Sequence, residues 1–137
     1  MTKTPYVPLT QEQLNQFSGL TAPYRHGLDP RVIYTAGVQF LAERAGAYWL
    51  LDVIVSYLTP RFVEEAAQVD ERIRFLQFWW LEVAPDRSAV VTARADYKVG
   101  TPFVTHKIDF TDFPLEFADI WAGYDGARWR LFLSSED

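Results

Sequence analysis

Asp52 is the only charged residue in the run from Ala45 to Leu58. An unpaired carboxylate is costly to bury among apolar side chains, so its position predicts a nearby donor: Arg25, His26, Tyr34 or Tyr48. Paired with His26, it could act as a general base or anchor a ligand through a shifted pKa. Read structurally, the same carboxylate is a buried hydrogen-bonding hub that ties the 21–33 loop to the helix carrying Asp52. His106 falls on the apolar side of an expected strand, where a hydrogen-bonded core histidine is the simpler reading.

Nothing else completes a catalytic set. Ser18, Ser56, Ser88, Ser134 and Ser135 lack the G-x-S-x-G context of an activated nucleophile. The glycine-rich loops that cradle phosphates are absent. Two histidines at no metal-binding spacing, and no cysteines, predict neither a metal site nor a bound cofactor. Trp79, Trp80, Trp121 and Trp129 could stack a planar ligand or single-stranded bases, although strand core or an interface explains most of them. The candidate ligand- or partner-binding residues are therefore Arg25, His26, Tyr34, Tyr48, Trp49 and Asp52 on the helical side, with Trp79 and Trp80 on the first strand.

The elements that must position these residues follow from period and punctuation. Thr10 with Gln13 reads as a capping box opening a short helix that stops at Gly19, after an extended lead over 1–9. Residues 21–31, with two prolines and a glycine, read as an irregular loop. Thr35 caps a helix that Gly46 ends or bends. Residues 47–58 form a second, nearly all-apolar helix, and Thr59-Pro60 restarts a third over 60–68. From Ile73 the period becomes two: strands over 73–83, 89–97, 103–110, 117–123 and 128–133, with the last turn at Asp125-Gly126. Charged side chains of the second and third strands are expected to pair across their ladder. The expectation is one α+β domain over 1–137, with helices over 1–70 packed on a five-stranded antiparallel meander over 73–133.

Composition narrows the function classes. The chain has 137 residues, 16% of them aromatic, and a net charge of −5. That acidity disfavours nonspecific binding to nucleic acid or anionic membranes. No apolar leader follows Met1, and the longest apolar stretch is too short to span a bilayer. A cytoplasmic location is expected.

Several runs carry a resemblance: Tyr24-Arg25-His26, Tyr34-Thr35-Ala36-Gly37-Val38, Ala45-Gly46-Ala47-Tyr48-Trp49-Leu50-Leu51-Asp52, Phe78-Trp79, Pro85-Asp86-Arg87-Ser88, Asp109-Phe110-Thr111-Asp112-Phe113-Pro114-Leu115 and Leu133-Ser134-Ser135-Glu136. Together they resemble an uncharacterised bacterial family of short chains, common on plasmids, on phages and in cyanobacteria, that bears only a domain-of-unknown-function label. The resemblance implies no activity. The family pattern has an acid where this chain has Ala36, so no role for an acid carries over there.

The leading functional expectation is a small non-enzymatic binding protein of a mobile element, acting on a host or defence component. A small-ligand pocket or hydrolytic site built on His26 and Asp52 is the second reading, and a structural homodimer the third. The first strand is apolar on both faces, through Phe75 and Trp79 on one and Leu76, Phe78 and Trp80 on the other. Helices need one face, so a protein partner or a second copy is expected on the other.

Overall fold

The computed structural model describes residues 9–18, 23–27 and 29–137. The extended lead over 1–8 and the stop at Gly19 lie outside the described residues. Thr10 caps α1 (Gln11–Asn15): its hydroxyl accepts from the Gln13 N–H, and the Gln13 side chain accepts from the Thr10 N–H. Thr35 caps α2 (Ala36–Ala45) by accepting from the Val38 N–H. Gly46, at φ 61°, ends that helix in the left-handed conformation that glycine adopts without a Cβ clash.

Next come α3 (Tyr48–Ser56) and α4 (Pro60–Ala67), the latter capped by Thr59 with Pro60 in its first turn. The strand expected from Ile73 starts later. The Asp70 carboxylate accepts from the Arg72 N–H and caps a single 3₁₀ turn over Glu71–Arg74.

Seven strands follow one another in the sheet as β1-β2-β7-β6-β3-β4-β5. They are β1 (Tyr24–Arg25), β2 (Val32–Tyr34), β3 (Leu76–Val83), β4 (Ala89–Arg94), β5 (Val104–Ile108), β6 (Phe117–Tyr124) and β7 (Trp129–Leu133). The class is α+β, but the expected five-stranded antiparallel meander preceded only by helices is incorrect in three respects.

First, Tyr24–Arg25, expected to be irregular, form β1, and β2 follows, so strands are interleaved with the helices. Their two and three residues are too short to show a period, and Pro30 sits in the turn between them. Second, β2 runs parallel to β7, so the sheet is mixed. Third, β6 pairs with β3 rather than β5, so the chain crosses back over 109–116. Arg87 staples that crossover: its guanidinium donates to the Thr111 carbonyl at 3.1 Å and the Phe113 carbonyl at 2.7 Å. Phe113 is fully buried there. The expected charge pairing between the second and third strands is also absent. Their register sets Thr92 opposite Thr105 and Val90 opposite Lys107.

One apolar core lies between the helices and one face of the sheet. Val38, Leu41, Leu50, Ile54 and Leu58 of the helical layer meet Trp79, Leu81, Val91, Ile120 and Leu131. Trp79 is 1% exposed, and its indole N–H donates to the side-chain oxygen of Gln77, itself fully buried. His106 lies on this face and shares a 2.9 Å hydrogen bond with the Tyr57 hydroxyl. Among the described residues no helix is long and apolar enough to cross a membrane.

Candidate functional site

The sequence-derived site residues gather only in part. Tyr48, Asp52 and Ser56 are spaced four apart, which puts them on one stripe of α3, and all three are exposed. Asp52 is thus a surface carboxylate, with 60% of its side chain accessible, and not the buried hub its apolar neighbours predict. It does find one of the expected donors. His26 Nε2 lies 2.8 Å from Asp52 Oδ1. With Gly27, Tyr34, Tyr48 and Leu51, this pair lines a shallow hollow of about 300 Å³.

The hydrogen bonds on the imidazole define its chemistry. The Asp29 N–H donates to His26 Nδ1 at 3.2 Å, so Nδ1 is the acceptor and the proton sits on Nε2, facing Asp52. A general base needs one ring nitrogen turned toward substrate. Here both are engaged, one by backbone and one by carboxylate, and the pair ties His26 and Asp29 to α3.

The remaining candidates have other uses. The Tyr48 hydroxyl donates to Glu43 at 2.9 Å, and burial followed by that carboxylate raises its pKa. Tyr34 stacks on Tyr24 with ring centroids 5.7 Å apart, and burial raises its hydroxyl pKa. Arg25, exposed on β1, and Trp49, half-buried against the core, do not line the hollow.

Trp79 and Trp80 point to opposite faces of the sheet, as neighbours in a strand must. The helices cover the Trp79 face. On the other face Phe78, Trp80, Phe117 and Trp121 are all half-buried, and none belongs to the core cluster. Phe117 stacks on Trp80 at 4.6 Å and 9°, while Phe78 meets Trp121 edge-on at 4.8 Å.

A carboxylate that sequence reasoning missed lies among these rings. Asp119 stands opposite Trp80 in the ladder. It accepts from the Tyr97 hydroxyl at 2.9 Å and the Trp121 indole N–H at 3.1 Å. Burial raises its pKa against the opposing pull of those two hydrogen bonds and the charge of Lys98. Tyr97 is pushed up to about 12, first by burial and then by Asp119. The alternation Phe117-Ala118-Asp119-Ile120-Trp121 was the available signal, because it sets an acid on an aromatic face.

A third feature is a cleft of about 260 Å³ between α4 and the β6–β7 turn. Leu58, Val63, Phe75 and Trp129 supply apolar walls. The rim cations are already neutralised: Arg31 pairs with Asp29 at 3.0 Å and Arg74 with Glu64 at 2.6 Å. Trp129 faces this cleft, whereas Arg130, next in sequence, lies over the Phe132 ring at 4.7 Å on the other side. Among the described residues no three His, Asp or Glu side chains converge as metal ligands would.

No curated protein and no solved structure matches the chain. A family model does match, over residues 8–137. That span takes in the His26–Asp52 hollow and the aromatic face alike, and the chain belongs to the family of unknown function DUF6876.

Proposed function

We propose that this chain is a non-enzymatic binding protein that docks a protein partner on the sheet face bearing Phe78, Trp80, Phe117 and Trp121. The observation that carries the reading is the one-sidedness of the helical layer, which leaves four large rings only partly buried, side by side. Contiguous aromatic surface of this kind marks interaction sites, and aromatic side chains are enriched at protein interfaces. The engaged imidazole of His26 supports binding over catalysis.

Charge favours a different protein over a second copy. Two copies would bring together chains of net charge −5 each, whereas a basic partner would be attracted. Resemblance to plasmid- and phage-borne chains supports a host component as that partner.

A photoreactive benzoylphenylalanine placed at Phe117, and separately at Tyr48 on the helical side, tests the reading in the native host. A cross-linked adduct with a second protein from position 117 and not from 48 is the expected result. Adducts of the chain with itself, equal yields from both positions, or no adduct from 117 would overturn it.

A further inference from the structure

Lys98 lies in the turn between β4 and β5, and its side chain reaches back over the aromatic face. Its ammonium stands 4.4 Å from the centroid of the Trp80 ring and 5.2 Å from that of Tyr97. Asp119, across the ladder from Trp80, supplies a negative charge that acts on Lys98. The Tyr97 ring is held in place by its hydroxyl bond to Asp119, an edge-on contact with Phe78 and a tilted one with Trp121. Arg94, at the rim, is turned toward the Gly100 carbonyl and the Thr92 hydroxyl.

Two aromatic rings and a carboxylate around an ammonium have the composition of a cation-binding cage. With Lys98 in place, only about 10 Å³ of that hollow remains. The Asp96–Val99 backbone pairing closes the turn that carries Lys98. Lys98 adopts φ 56°, a left-handed conformation that is unfavourable for a residue with a Cβ.

We infer that the hollow of Trp80, Tyr97 and Asp119 is a binding site for an alkylammonium group, closed by the chain's own Lys98 and opened when a lysine side chain of the docking partner takes its place. The inference rests on the proposed use of this face and names the chemistry of its partner, a segment presenting lysine. Exchange of one ammonium for another keeps the cage satisfied. An internal occupant also competes with any external one. Lys98 therefore lowers the apparent affinity of the site and admits only partners whose remaining contacts on the face offset that competition.

The test is a tryptophan-fluorescence titration with Nα-acetyl-lysine methyl ester, using its norleucine counterpart as the uncharged control. Lys98 is exposed, so Lys98→Ala should keep the fold, as thermal melting will verify. The variant is expected to bind the lysine probe at least ten-fold more tightly than the unaltered chain and to ignore the norleucine probe. Adding Asp119→Asn to Lys98→Ala should abolish the gain. Equal binding by Lys98→Ala and the unaltered chain, or equal response to both probes, would overturn the inference. Cross-linking at Phe117 reads the face independently of Lys98. An adduct there without probe binding removes the ammonium site and keeps docking, while probe binding without an adduct does the reverse.

Discussion

The Glu136 carboxylate accepts the Thr35 hydroxyl at 2.5 Å, joining residues 101 positions apart in sequence. Its other oxygen accepts from the Gly37 N–H at 3.2 Å, and Oε1 also takes the Leu133 N–H at 3.0 Å. Glu136 is only 4% exposed. The first turn of α2 is thereby capped twice, locally by Thr35 and remotely by an acid placed where the helix dipole favours one.

Removing that acid should be expensive. Hydrogen bonds to a charged group contribute about 1.5–3 kcal/mol each when a buried partner is stranded. Glu136→Ala is expected to lower stability by roughly 3 kcal/mol, and Glu136→Gln by about half as much. A Cβ at Gly37 would come within 2.6 Å of Glu136 Oε1 and 2.8 Å of Leu133 Cδ1. Gly37→Ala should therefore cost about 1–3 kcal/mol by overpacking, and less in the Glu136→Ala background because one of the two clashes is gone. Urea unfolding of the four proteins gives the cycle. Strict additivity would show that Glu136 is not what a Cβ at position 37 meets, and an unchanged midpoint for Glu136→Ala would show that its hydrogen bonds do not stabilise the fold.

Exposure sets the expectation for the His26–Asp52 pair. Asp52 is the exposed partner of a single hydrogen bond, a contact that contributes about 1 kcal/mol or less, so Asp52→Ala should shift the melting midpoint only slightly. His26→Ala removes a side chain 8% exposed and leaves the Asp29 N–H without its acceptor, for a loss of roughly 1–2 kcal/mol. A larger effect from Asp52 than from His26 would contradict this order.

Asp119 gives a pH dependence with a defined sign. Its folded pKa lies above the ordinary 3.8, chiefly because burial disfavours the charged form. The protonated acid is thus relatively favoured in the folded chain, and its stabilising contribution is present below 3.8 and lost as pH rises through the folded value. Asp119→Asn cannot ionise, so its stability relative to the unaltered chain should improve as pH climbs from below 3.8 through the folded pKa. Paired urea titrations across that window measure the difference, and a stability of Asp119→Asn relative to the unaltered chain that stays constant or falls with pH is the adverse result.

Local chemistry was legible wherever a side chain contacts its own neighbourhood. The Thr10–Gln13 box, the Thr35 and Thr59 caps, the Gly46 stop and the Asp125-Gly126 turn each bond or bend within a few residues. What long-range pairing decides was not legible. Val32–Tyr34 becomes a strand because Tyr24–Arg25 and Trp129–Leu131 lie on either side of it, and Phe117–Tyr124 joins β3 because the 109–116 crossover passes beneath Arg87. Asp52 was misread through sequence proximity. Leu51 and Val53 flank it in the chain, but on a helix its stripe is shared with Tyr48 and Ser56, and that four-residue spacing was present to be read. For Glu136, no local pattern distinguishes a buried cap from a solvated acid.

The parallel pairing of β2 with β7 has a consequence for synthesis. A nascent chain exposes Val32–Tyr34 and the first turn of α2 long before Trp129 or Glu136 has left the ribosome. Neither the sheet's β1–β2 edge nor the remote cap can close until residues 129–136 have been translated, and pairings of such sequence separation are slow to form. The apolar helix α3 must meanwhile wait with much of its core partner unmade, which makes the interval before residue 129 emerges the chain's period of greatest exposure to aggregation.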